Sequence, residues 1–138
     1  MMPSIIIQLD QHSAIPPCGT VSGTYRLVEM RPEEVLRLEF SVLWFTEGKG
    51  DEDLGVHHFE SIARDSGEVF QTLLHELDTS QMIPFHVALP PSPLSYYGKI
   101  LKIHWCVRVR LYLKSGHEIN GERLFTVGNI PPVQVSLD

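Results

Sequence analysis

The sequence predicts an all-β protein, an antiparallel β-sandwich of about eight strands. Two alternating runs and one spacing carry that prediction. In Lys99 to Leu113, the apolar set Ile103, Trp105, Val107, Val109, Leu111 and Leu113 alternates with Lys102, His104, Cys106, Arg108, Arg110 and Tyr112. In Val35 to Thr46, Leu36, Leu38, Phe40, Val42 and Trp44 point one way, while Arg37, Glu39 and Ser41 point the other. Period two over such lengths marks strands buried on one face. Gly and Pro punctuate the chain about every ten residues, as the turns of a sandwich do.

The elements follow in order. Ser4 to Leu9 is rich in β-branched residues and ends before Pro16-Pro17, so it opens the fold as a strand. Gly19 to Glu29 carries Val21, Tyr25 and Leu27 as a second strand, and Val35 to Thr46 is the third. The polar connection Glu47-Gly-Lys-Gly-Asp-Glu-Asp53 returns the chain into Leu54 to Ala63. That strand's inward face is ambiguous, with Val56, His58 and Glu60 opposed to His57, Phe59 and Ser61. Asp65 to Gln81 reads as a loop with a short helix, because Val69, Leu73 and Leu77 make a helical stripe. Ile83 to Leu89 ends in prolines and precedes the long strand. Glu118 to Val127 and Val133 to Leu137 complete the set, separated by Gly128-Asn129 and Pro131-Pro132.

Composition bounds the function classes. A chain of 138 residues supports one hydrophobic core and one domain, residues 1–138. The content is 43% hydrophobic and 20% charged, ordinary for a soluble protein, and no apolar run reaches the ~18 residues of a membrane span. The start, Met1 to Ile7, lacks a basic region and a long apolar stretch, so a cytoplasmic location without membrane insertion is expected. A net charge of −6 argues against nucleic acid as a general partner. Cys18 and Cys106 are the two cysteines, one beside a turn and one on an outward strand face, and imply two free thiols.

Two blocks of sequence carry a family resemblance. The first is Ile5-x-Ile7-x-Leu9, then Pro17, then Val21-Ser22-Gly23-Thr24-Tyr25-Arg26-Leu27. The second is Pro84-Phe85-x-Val87-x-Leu89-Pro90, then Pro93-Leu94-Ser95-Tyr96-Tyr97-Gly98, then Lys102-Ile103-His104-Trp105-x-Val107-Arg108-Val109. Together they resemble the arrestin-like domains of α-arrestins and of the arrestin-like subunit of retromer, which have an aromatic at the place of Trp105. Cys18 stands where that family has glycine, and one sandwich stands where those proteins pair two. The resemblance implies an immunoglobulin-like sandwich acting as an adaptor or scaffold, and a homodimer would restore the paired arrangement.

The candidate binding site is the outward face of the long strand. Lys102, His104, Arg108 and Arg110 form a cationic stripe that would hold a protein or acidic peptide by charge-assisted hydrogen bonds. The alternative is a solvated ladder in which neighbouring strands supply Glu39, Glu118 or Glu122. An exposed sheet edge is a second route to a partner.

Other chemistry is less well supported. Gly50-Asp51-Glu52-Asp53 lacks the second acidic loop a calcium ion would need. His57 and His58, as adjacent strand residues, would face opposite sides and could not chelate together. No nucleophile elbow, phosphate loop or paired His-Glu helix motif occurs. Trp44 and Trp105 fall on apolar registers and read as core, and at most one of Tyr96 and Tyr97 points inward. The expectation is a non-catalytic interaction module without cofactor or metal. A purely structural subunit is the alternative, and a small metal protein or enzyme is further off.

Overall fold

Two long strands, each apolar on alternate positions, pair and set the frame for everything else. In the computed structural model, which describes residues 3–50, 52–78 and 82–128, these are β3 (Val35–Gly48) and β7 (Leu101–Leu113). They run antiparallel from Val35 opposite Leu113 to Gly48 opposite Leu101. β4 (Leu54–Ala63) flanks β3, while β8 (Glu118–Phe125) and the short β6 (Tyr96–Tyr97) flank β7 in succession. A second sheet holds β1 (Ser4–Leu9), β2 (Thr20–Val28) and β5 (Ile83–Ala88), with β2 central. The molecule is therefore a two-sheet antiparallel β-sandwich. The last predicted strand, 133–137, lies outside the described residues.

The core lies between the sheets. Leu38, Phe40 and Val42 of β3 and Trp105, Val107, Val109 and Leu111 of β7 face Ile7, Val21, Tyr25 and Val87 of the smaller sheet. Tyr25 stacks on Phe40 with ring centroids 6.0 Å apart, and Phe40 meets Phe85 at 5.1 Å, so aromatic contacts join the sheets. On one side β1 lies so close to β8 that a Cβ on Gly121 would meet Ile5 at 2.7 Å. On the other side the edge strands β4 and β5 diverge, and α1 (Glu68–Asp78) fills the gap with buried Phe70, Leu73 and Leu77.

Within the 65–81 region, of which 79–81 lie outside the described residues, α1 spans Glu68–Asp78 in place of the expected loop with a short helix, with one change from the sequence pattern. Phe70, not Val69, heads the buried stripe, and Val69 is exposed. Arg64 explains the choice: its guanidinium lies 5.3 Å above the Phe70 ring and donates to the carbonyls of Glu33 and Val35. The cation thus fixes the start of the helix against the 3₁₀ turn Pro32–Glu34.

Three other expectations change. Leu36 is exposed, because the β3–β7 register shifts between Val35 and Arg37. Cys106 is fully buried although its face looks outward, since the small thiol sits between Leu43 and Leu124 across the sheet and His104 and Arg108 along the strand. His57 and His58 both reach inward. A bulge opposite Val42 and Leu43 inserts His57 as an unpaired residue. His57 then meets the Trp105 ring edge-on and its Nε2 lies 2.6 Å from the Ala88 carbonyl, while His58 meets Phe40.

Among the described residues, no helix is long and apolar enough to cross a membrane.

Candidate functional site

The outer face of the larger sheet is the surface on which the predicted stripe lies. Because paired residues in a sheet share a face, the register reads it off in rows. The uppermost row is Glu47, Lys102 and Tyr97, followed by Leu54, Phe45 and His104; the next is Val56, Leu43, Cys106 and Leu124. Then come Phe59, Ser41, Arg108 and Glu122, and after them Ser61, Glu39, Arg110 and Asn120. Ala63, Arg37, Tyr112 and Glu118 close the face.

The structure brings Lys102, His104, Arg108 and Arg110 into one line on this face, and it gives three of them direct acidic partners. His104 Nε2 lies 2.7 Å from Glu47 Oε1. Arg108 Nε lies 2.6 Å from Glu122 Oε2, and Arg110 Nε lies 3.0 Å from Glu118 Oε2 and donates to Asn120. Tyr112 donates to Glu39 at 3.1 Å. Lys102 is exposed, opposite Glu47 in register. The hydrogen bond from His104, followed by the charge of Lys102, holds the Glu47 carboxyl below the ordinary carboxylate value. Arg110 is held more firmly cationic, first by its hydrogen bond with Tyr112 and then by the charge of Glu118.

Beside this ladder lies an apolar patch that the sequence pattern concealed. Leu54, Val56, Phe59 and Leu124 are 56%, 53%, 55% and 52% exposed. Between β4 and β7 a depression of about 150 Å³ has Ser41 and Leu43 at its floor, with Leu54, Val56 and Phe59 on one wall and Arg108 and Arg110 on the other; Glu39, which accepts from Tyr112, also lines it. The bulge is what hides it from a period-two pattern. Leu54 and Val56 are even-numbered and Phe59 is odd, so no single period-two set contains them until His57 is removed from the pairing.

The remaining candidates are placed as follows. Asp51 of the acidic connection lies outside the described residues, and Asp53 is tied to Thr46 through its backbone, its amide donating to the Thr46 hydroxyl at 2.7 Å. Among the described residues no group of three or more His, Cys, Asp and Glu side chains is placed to hold a metal ion. Trp105 is core, whereas Trp44 is half-buried against Gly55. Tyr96 and Tyr97 are both exposed, and the Tyr97 hydroxyl lies 3.0 Å from that of Thr126.

Fold and face together define a class: a two-sheet antiparallel β-sandwich whose larger sheet carries apolar and charged side chains on its outer face. No protein-family model matches the chain, and no curated protein matches it. Among solved structures it is similar to Spo0M, a sporulation control protein from Bacillus subtilis, with a TM-score of 0.58 and 14% identity over 93% of this chain. The chain spans 50% of the length of Spo0M. A fainter likeness, with a TM-score of 0.48 and 9% identity, covers 90% of this chain and 80% of superoxide reductase (neelaredoxin) from Ignicoccus hospitalis. The likeness to Spo0M supports the sandwich fold and nothing further.

Proposed function

We propose that this sandwich is a non-catalytic protein-interaction module, an arrestin-like adaptor or scaffold that docks an extended protein segment across the outer face of its larger sheet. The observation that carries the reading is that Leu54, Val56 and Phe59 of β4, each more than half exposed, line one depression with Arg108 and Arg110, with exposed Leu124 further along the same face. Single exposed apolar residues are commonplace; a contiguous group rimmed by charge is the mark of a contact surface. The segment that fits has apolar side chains for the depression at Leu43 and carboxylates for the arginines.

The existing ion pairs do not block this. Glu122 and Glu118 belong to β8 at the sheet margin, and exposed pairs of this kind are worth only about 0–1 kcal/mol. A partner carboxylate can replace either acid at small cost, and burial of Val56 and Phe59 supplies the affinity.

Selection of a random peptide-display library on the immobilised protein tests the proposal. The expected winners combine apolar and acidic residues, and they lose binding to both Phe59→Glu and Arg108→Glu variants whose thermal transitions match the parent. Winners that bind both variants undiminished, or a selection without acidic enrichment, would refute it.

A further inference from the structure

A cavity of about 490 Å³ opens where β4 and β5 diverge, with α1 along one side. That volume lies within the range of small-ligand sites, about 300–1,000 Å³. Its walls are aromatic and aliphatic, formed by Tyr25, Phe40 and Phe85 with Leu73 and Ile83. Its charged lining is acidic: Glu60 from β4 and Glu76 from α1 line it, the exposed His86 of β5 is its one imidazole, and no Lys or Arg among the described residues lines it.

The acids act on the floor of the cleft. The Tyr25 phenol is nearly buried, and its ionisation is pushed well above the ordinary tyrosine value, first by burial and then by the negative charges of Glu60 and Glu76. Glu60 also meets His58, whose Nε2 lies 2.6 Å from Oε2. A neutral imidazole that donates there leaves the carboxylate charge in place and its other oxygen available to a ligand.

We propose that this cleft is a binding site for a small organic ammonium ion, its head between Glu60 and Glu76 beside the Tyr25 ring and its apolar body against Phe40, Phe85 and Leu73. Three features favour that class over a neutral or anionic ligand. Aromatic faces attract a cation, the two carboxylates accept charge-assisted hydrogen bonds from it, and an anion would meet two like charges in a partly desolvated space. The cleft lies between the sheets, off the outer face, so it stands or falls separately from the docking reading.

The test uses three probes of equal chain length, n-hexylammonium, hexanol and hexanoate, titrated at pH 8, where an ordinary imidazole is uncharged. Hexylammonium is expected to bind about tenfold or more tighter than hexanol, with hexanoate weakest. Glu60→Gln and Glu76→Gln, each checked for an unchanged thermal transition, are expected to weaken hexylammonium about tenfold and hexanol less than about twofold. Hexanol binding as tightly as hexylammonium would overturn the proposal. So would an unchanged ammonium affinity in both variants, or no binding of any probe up to about 10 mM, a concentration that reaches even very weak sites.

Discussion

The indole nitrogen of Trp105 donates a hydrogen bond to the carbonyl oxygen of Pro93 at 2.9 Å. The largest fully buried side chain thereby holds the proline-rich segment against the end of the sandwich. Ser95 continues the attachment, its amide donating to the Val127 carbonyl at 2.8 Å and its hydroxyl accepting from the Val127 amide at 2.9 Å. Trp105→Phe keeps an aromatic in the core but removes the donor and leaves a void. A loss of about 3 kcal/mol is expected in chemical denaturation, from the unmet carbonyl and the cavity together. A loss under about 1 kcal/mol would mean that water replaces the indole at Pro93.

Cys18 has φ of +66°, in the left-handed region where a side chain is strained and glycine is not. The next residue, Gly19, donates back to the Pro16 carbonyl at 2.9 Å, so the turn is tight. Cys18→Gly is expected to stabilise the protein by about 1 kcal/mol, read as a higher denaturation midpoint at unchanged slope. Cys18→Val, which adds β-branching at the same φ, is expected to shift the midpoint the other way.

Much of the architecture was legible because half-buried strands write their orientation into every second residue. β7 obeys that rule and so does β3 from Leu38 to Val42, while the β1 and β4 bounds follow from β-branched content and turn chemistry. What escaped depends on neighbours distant in sequence. The apolar patch joins Leu54 and Val56 of β4 to Leu124 of β8 only through β3 and β7, and the bulge at His57 breaks the alternation that would have shown it. Cys106 looked exposed because its strand face is polar elsewhere; Leu43 and Leu124 cover it. The charge ladder is partly legible in the sequence, which offers Glu118 and Glu122 as neighbours of the stripe, whereas Glu47 meets His104 only through the β3–β7 register.

The two thiols are expected to differ in reactivity. Cys18 is exposed, whereas Cys106 is buried and its ionisation is pushed up to about 11, first by burial and then by the charge of Glu122. Ellman's reagent at pH 8 should titrate one thiol rapidly in the native protein and two after denaturation. Rapid reaction of both in the native state would show that the row from Val56 to Leu124 opens readily.

Burial of these groups also fixes the alkaline limit of stability. Cys106 and Tyr25 both ionise later in the folded chain than their ordinary values of 9.0 and 10.0. Each raised value means that the unfolded chain loses its proton first. The contribution is therefore whole below pH 9 and falls as pH rises above 9, then more steeply above 10. Denaturation midpoints are expected to hold steady up to pH 9 and decline beyond it, with Tyr25→Phe removing the part that begins near pH 10. An equal decline in Tyr25→Phe above pH 10 would exclude the phenol as its source.

The Arg108–Glu122 pair decides whether the ladder is structural or available to a partner. The two side chains are 22% and 47% exposed, so solvent screens their attraction, and a coupling of about 0.2–1 kcal/mol is expected from a double-mutant cycle of Arg108→Gln and Glu122→Gln. That coupling should shrink further as salt is raised toward about 1 M, where the screening length is near 3 Å. A value in this range leaves Arg108 free to exchange its acid for a partner's carboxylate at little cost. A coupling above about 2 kcal/mol, insensitive to salt, would make the pair part of the scaffold and move any docking contact onto Leu54, Val56, Phe59 and Leu124 alone.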